Sequence, residues 1–457
     1  MRGRSHTIDI CNGPLAGSII AFALPLMAAN VLQLMFNLAD VIVVGKFAGD
    51  LAQAAVTSTT AMINLLLGLF MGMSGGANVV VAHALGADRK EEVHHMVHTS
   101  IAVAAISGVC LAVAGIVAAP WLLELMNSPE NVRGLSAIYL RIYFLGLPAT
   151  IIYNFASAVL RADGDTRRPL YFLSVSGVIN VILNLVFVVG VHMGVAGVAI
   201  ATAVSQWISA LLVVRCLKLQ SGPLQLDLRQ LKIRAFALGR IARVGIPAGI
   251  QASLFSLSNV VIQSSINSLG ETVMAGSGAA MTVEEICYQF GGAFFYAATS
   301  FVSQNYGAKR LDRVDRSFLL CQAYTVVCGV IVTAVTLTTG PWLLRMFTDS
   351  PVVVEQGMVR IRYIISFLCL GGAMDVCTAT LRGMGRSFQP MLVTLVGVCG
   401  LRLVWIATIF RGDPCPENIY IAYPITWAVT TTAHLCTLLF ARAKAKRVFA
   451  AEGEAVL

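Results

Sequence analysis

Long apolar stretches separated by short polar breaks run through nearly the whole chain. Each is of spanning length, since about 20 residues rising about 1.5 Å apiece cross the roughly 30 Å hydrocarbon core of a bilayer. Twelve can be read, over about 14–44, 52–82, 94–120, 133–160, 168–190, 194–215, 240–268, 274–303, 317–340, 356–381, 389–410 and 418–441. Within several of them polar residues recur at helical spacing: Asn30, Gln33, Asn37 and Asp40 in the first, Ser176, Asn180 and Asn184 in the fifth, Thr202, Gln206 and Ser209 in the sixth. A helix stacks each set on one face. The pattern predicts an all-α membrane protein with twelve transmembrane helices, and Pro25 near the start of the first predicts a bend there.

The breaks alternate in charge. GADRKEE, RADGDTRRP, the segment 215–243, KRLDRVDR, GMGRSFQP and the tail ARAKAKR carry Arg or Lys, whereas the intervening breaks hold few positives, Lys46, Arg345 and Arg411 excepted. The positive-inside bias then places both termini and the 215–243 segment in the cytoplasm. The chain also repeats itself. LRADGDTRRP at 160–169 returns as LRGMGRSFQP at 381–390 and APWLLEL at 119–125 as GPWLLRM at 340–346, both 221 residues on; Pro25 and Asn37 match Pro247 and Asn259 at an offset of 222. Two six-helix lobes follow, 14–215 and 240–441, joined by a cytoplasmic linker at 216–239. Six spans is an even number, so both lobes enter the membrane the same way round, related by an axis along its normal, with a central cleft between them suited to alternating access.

Composition agrees. The chain is 57% hydrophobic and 12% charged, with a mean hydropathy of +0.79, far from the roughly 25% charge of soluble domains. The net charge of +9 sits between apolar runs, so it reads as topology and not as a nucleic-acid footprint. Eleven cysteines are scattered without CxxC or Cys/His clustering, which supports neither a zinc site nor a disulfide framework; most read as small core hydrophobes, with Cys415 alone expected to be exposed. His94 and His98 are four apart but lack the companions of a metal site. No HExxH, Asp-rich pair or Ser/His arrangement suggests an enzyme, and no cofactor is expected. MRGRSHTIDICNG leads into the first span without a small-residue cleavage site, so no removable signal is expected.

Charge inside the spans carries the chemistry. A carboxylate in hydrocarbon costs several kcal/mol, about 2.5–3.5 on the lowest scales, so Asp40 must face a bundle interior or watered cavity, where it can take a proton or a cation. The amides of Asn180 and Asn184 and the hydroxyl of Thr202 would supply neutral oxygens around it, a set suited to Na⁺. Asn154 in the fourth span and Gln33 and Asn37 beside Asp40 read as pocket groups. In the second lobe Ile262 stands at the position matching Asp40, while Ser256, Asn259, Gln263 and Asn267 form a polar stripe. Of the adjacent Glu284 and Glu285 only one can face the cleft, and Glu284, aligned with Tyr288, is the expected one. Asp375 bears the same cost as Asp40. With Tyr288, Phe290, Phe294 and Phe295 nearby, these carboxylates would attract a cationic cargo. Arg402 is an oddity that either pairs with a carboxylate or snorkels.

QLMFNLADVIVVGKFAG, the paired PWLL segments, LRADGDTRRP with LRGMGRSFQP, and AAMTVEEICYQFGGAFFYAATSFVSQNYGAKR resemble the multidrug and toxic compound extrusion family, over nearly the whole chain. The resemblance implies a secondary antiporter of two six-helix lobes forming a V, in the superfamily that includes lipid-linked precursor flippases. It implies export of small amphipathic or cationic molecules in exchange for H⁺ or Na⁺. Asp40 falls on the family's first-helix aspartate, Asn180 and Thr202 on its partners, Asn154 on a fourth-helix pocket asparagine, and Asn184 where many relatives have aspartate, a loss that tilts the coupling toward H⁺. Asp375 matches a tenth-helix aspartate of one branch, but the seventh-helix glutamate of that branch is Phe255 here, so a cation site in the second lobe would be incomplete. Glu284 aligns with a glutamate common in bacterial relatives. The expected protein is therefore a monomeric efflux antiporter of the bacterial inner membrane, in contact with membrane lipids and binding no nucleic acid, with a possible Na⁺ at Asp40 as its only metal. A flippase for a lipid-linked precursor is the alternative, and would require a basic interior.

Overall fold

The computed structural model describes residues 7–125 and 129–454. Among them every regular element is helical. The long helices are α1 (Leu15–Ala48), α2 (Asp50–Gly86), α3 (Lys90–Leu125), α4 (Glu130–Ala162), α5 (Arg167–Gly190), α6 (Gly194–Leu219), α7 (Ala235–Asn267), α8 (Glu271–Gly307), α9 (Leu311–Arg345), α10 (Pro351–Gly383), α11 (Phe388–Phe410) and α12 (Pro416–Ala451). Each predicted span lies inside one of them or passes its end by a single residue. Eleven are long and apolar enough to cross a membrane among the described residues; α8, which carries Glu284 and Glu285, is long but falls below that hydropathy. Most helices run past the apolar stretch that announced them, because polar residues extend a helix into the headgroup region where its end groups can be solvated.

Contacts divide the chain into two compact units. One holds Ala28–Gly249, the other Asp9–Met27 together with the chain from Ile250 onward. Both α1 and α7 therefore change unit along their length, just after Pro25 and Pro247, the prolines that interrupt their hydrogen-bond ladders.

In the first unit α4 is central, with α2, α3 and α6 packed on it and Leu140, Phe144, Ile151, Phe155 and Leu160 fully buried. Lipid is as apolar as these side chains, so close packing and polar contacts hold the helices together more than exclusion from water does. Gly72 shows how close that packing is: a Cβ there would lie 2.2 Å from the backbone nitrogen of Gly249 on α7. The linker and the start of α7 also pack within this unit. His98 Nε2 accepts the Asp227 N–H at 3.1 Å while its Nδ1–H donates to the His94 carbonyl at 2.8 Å, and Arg240 pairs with Glu92 at 2.8 Å. The histidine is thus occupied with the chain itself. The Arg229 N–H beside Asp227 holds that exposed carboxyl below the usual carboxylate range.

The RADGDTRRP break is built around Asp165, which is fully buried. Its Oδ1 accepts the N–H groups of Arg167 and Arg168, both at 3.1 Å, capping the start of α5, and its other oxygen pairs with the Arg168 guanidinium. Arg168 in turn donates to Gln220 at 2.8 Å, tying α5 to the end of α6. Asp165→Ala removes a cap and strands a half-buried cation, so it is expected to cost about 2–4 kcal/mol. Thermal unfolding in detergent checks this, with Asp165→Asn, which can still accept, clearly less affected.

In the second unit α8 and α10 are central, contacted by α9 and α12. Arg310 and Arg313 do more than mark topology. Arg313 donates to the carbonyls of Ile10 and Gly13 at 2.9 and 2.8 Å, and Arg310 to that of Cys11 at 2.7 Å, so they hold the segment leading into α1. Burial in this segment pushes the Cys11 thiol up. Two expectations about cysteines are corrected: Cys110 and Cys436 are exposed and Cys415 is only half-exposed. A run that is apolar all round does not reveal which face points outward.

Candidate functional site

Asp40 is on α1, Asn180 and Asn184 are one turn apart on α5, and Thr202 is on α6, all within the first unit. The structure brings the four together. Asp40 Oδ1 accepts from Asn184 Nδ2, and Oδ2 accepts from the Thr202 hydroxyl at 3.2 Å. Asn180 Nδ2 donates to the same hydroxyl oxygen at 3.4 Å, and Asn184 Nδ2 donates to Asn180 Oδ1 at 3.2 Å. These bonds close a ring of four polar side chains, one of them the carboxylate itself, as a charge in a low-dielectric interior requires. Asn184 is fully buried and its Oδ1 has no hydrogen-bond partner among the described residues. Asn184 meets Asp40 through its amide nitrogen, so a hard cation at the carboxylate would take that amide turned to present its oxygen, whereas a proton on Asp40 would neutralise the same charge without that turn. Immediately after Asn184 the helix widens into a π turn, Leu185–Gly190, a distortion often found at functional positions.

Close approach of α1 to α5 depends on Gly177, where a Cβ would lie 1.8 Å from the ring of Phe36, one turn before Asp40. Gly177→Ala is expected to displace that ring and separate the helices, at about 1–3 kcal/mol. Circular dichroism should show the helices retained while transport falls.

The remaining residues do not join this cluster. Gln33 and Asn37 bond to each other at 3.3 Å in an exposed position, so the polar face of α1 serves two separate places. Asn154 donates to the Thr150 carbonyl of its own helix at 2.9 Å. Asn259 is exposed on α7. In the second unit Tyr288 and Asp375 line one cavity of ≈ 120 Å³ with Thr325, Cys328 and Gly372, among others. Phe290 is also at its wall, whereas Phe294 is buried against Tyr324.

Glu284 departs from its expected place. It is buried and accepts from Arg360 Nε at 2.9 Å and Nη2 at 2.8 Å, while Arg360 Nη1 donates to Ser277 at 3.0 Å and the guanidinium lies over the Tyr420 ring. Its charge is thus already matched, and it is Glu285 that is exposed. Arg360 escaped sequence reasoning because it stands near the start of its apolar run, in VRIRYI, where a cation reads as an interfacial anchor. Arg402 does not snorkel and has no ion pair among the described residues; it is buried among aromatic rings.

The MatE family model matches residues 25–186 and again 247–408. The chain belongs to the MatE family. Its members are transporters, not enzymes, and the two matches coincide with the internal repeat. Among MatE relatives, the probable multidrug resistance protein YoeA of Bacillus subtilis is 29% identical over 423 residues, 90% of this chain and 91% of that protein. A protein named FAD transporter from Shewanella oneidensis is 22% identical over 429 residues, covering 91% and 93%. The fold matches a crystal structure of a MATE protein in complex with MaL6 at a TM-score of 0.88 and 21% identity, over 96% of this chain and 98% of the other. This chain is a multi-pass membrane transporter similar to multidrug efflux proteins.

Proposed function

We propose that the protein is a secondary antiporter that expels drug-like amphipathic molecules in exchange for H⁺ or Na⁺ taken up at Asp40. The observation that carries this reading is the closed Asp40–Asn184–Asn180–Thr202 cluster with the free Asn184 Oδ1. A proton or cation on Asp40 cancels the charge that organises the cluster, so α1, α5 and α6 can repack, and their two arrangements favour different states of cargo binding. In the second unit Tyr288, Asp375 and Asn259 contribute cargo contacts, and in the first Gln33, Asn37 and Asn154 contribute their own. Glu284 acts through its pair with Arg360. The protein works as a monomer in a bacterial inner membrane with both termini in the cytoplasm. Relatives named for multidrug resistance and for FAD leave a wide cargo range open.

Uptake of a fluorescent organic cation into inverted vesicles, under separately imposed Na⁺ and H⁺ gradients, tests the proposal. Asn184→Asp sharpens it, because a second carboxylate beside Asp40 adds negative charge to the cage and should shift the driving ion toward Na⁺, with an affinity gain of about ten-fold or more. An unchanged response to both ions in this variant would mean the cluster holds no coupling cation. Uptake of a lipid-linked precursor with no gradient-driven cation uptake would favour the flippase reading.

A further inference from the structure

Arg402 is 1% exposed on a short stretch of α11 bracketed by two π turns, Leu395–Gly400 and Ile406–Phe410. Its guanidinium carbon lies 3.9 Å from the ring centroid of Tyr423, 5.8 Å from that of Phe255 and 6.0 Å from that of Trp427. Nε donates to the Thr426 hydroxyl at 3.2 Å, and Nη2 is buried with no partner among the described residues. No ion pair reaches Arg402 among the described residues. The buried carboxylate of this region, Glu284, is held by Arg360. Aromatic faces offset part of the cost of burying a cation, but they provide no counter-charge and leave the N–H groups of Nη2 unmet.

The repeat gives this position a meaning. At the offset of 221, Tyr423 stands in the register of Thr202 and Leu401, next to Arg402, in that of Asn180; at 222, Ile262 stands in the register of Asp40. The two units thus bury opposite charges on different helices: the first has a carboxylate on α1, whose counterpart α7 has Ile262, and the second a guanidinium on α11, whose counterpart α5 has Val181 in register.

We propose that Arg402 is an anion-recognition residue that receives the carboxylate or phosphate of an anionic or zwitterionic amphipathic cargo, whose apolar part packs on Phe255, Tyr423 and Trp427. This rests on the transporter reading and narrows its cargo class. A guanidinium suits the task because its planar fork presents parallel N–H groups to two oxygens, and the unpartnered Nη2 is available for them. Tyr288 links the site to the neighbouring cavity: its ring packs edge-on against Trp427 at 6.3 Å and also forms part of the wall that holds Asp375. Asp375 makes no hydrogen bond or ion pair among the described residues, although the positive field of Arg382 reaches it. A zwitterion with its cationic end at Asp375 and its anionic end at Arg402 would satisfy both.

The test uses the full chain in phosphatidylcholine nanodiscs, with octyl phosphate as probe and octyltrimethylammonium as cationic control, followed by titration calorimetry. Saturable octyl phosphate binding is expected, weakened about ten- to one-hundred-fold by Arg402→Gln with no loss of octyltrimethylammonium affinity. Should that variant not fold, Arg402→Lys keeps the charge without the fork, and must bind octyl phosphate at least about three-fold more weakly. Equal affinity in wild type and either variant, or no saturable binding in the wild type, overturns the proposal. A parallel set of nanodiscs containing phosphatidylglycerol separates the sources of the anion: competition with octyl phosphate assigns the site to a lipid headgroup, and none assigns it to soluble cargo. Loss of Asp40-dependent cation transport would sink the antiporter reading while leaving this binding result standing, so the two failures are distinguishable.

Discussion

Glu284→Gln is expected to lower stability by about 3–5 kcal/mol, more than any other single change considered. The carboxylate accepts two hydrogen bonds from Arg360, and both residues are almost wholly buried. Removing one partner leaves a guanidinium with its desolvation cost and no opposing charge, in a unit that already buries Arg402. The pair as a whole contributes much less than its rupture costs, because taking two ions out of water consumes most of their attraction. The double variant Glu284→Gln with Arg360→Met should therefore recover most of the loss. Thermal inactivation of the purified protein in detergent reads both effects. A single variant within 1 kcal/mol of wild type, or a double variant no better than the single, would show that Arg360 finds another counter-charge.

The second large effect is on transport. Asp40→Asn should reduce gradient-driven efflux about 100-fold, near the upper end of the 5–150-fold range of typical coupling energies, while the protein folds and inserts normally. Asparagine keeps an oxygen to accept from Asn184 and fills the same volume, so the contacts of α1 with α5 and α6 survive. What it cannot do is change charge when an ion arrives. Asp40→Ala would confound the result by leaving the amide of Asn184 and the hydroxyl of Thr202 without their acceptor. Unchanged efflux by Asp40→Asn at normal expression would move coupling to another carboxylate within an apolar run, Asp375 first, because Glu284 is already paired with Arg360.

The Asp40 cluster was legible because each member lies on a helical polar face, and an aspartate in an apolar span obliges its surroundings to supply partners. Spacing could not say that Asn184 would give its amide to Asp40 and keep its oxygen free, since that depends on how far α5 is rotated against α1. Asn154 looked equally available, yet it spends its amide on its own helix. Glu284 was misplaced for a different reason: its alignment with Tyr288 is real, but its partner lies 76 residues further along, and no local pattern announces a pair at that separation. Arg402 was flagged by the cost of its charge alone, and the ring-lined site that holds it draws on three helices. The spans were readable from hydrophobicity. The short 3₁₀ turn at Ile365–Phe367 within α10 was not, because neither proline nor glycine marks it.

Reciprocity supplies the most direct measurement. The dissociation constant of a fluorescent organic cation should be determined on purified protein with the coupling ion varied, by Na⁺ titration at fixed pH and by pH at fixed Na⁺, for wild type and Asp40→Asn. The account predicts that one of the two ions weakens cargo binding in the wild type, by a factor that cargo imposes equally on the ion, and that the dependence disappears in Asp40→Asn. A cargo affinity indifferent to both ions in the wild type, or equally ion-dependent in the variant, would contradict it.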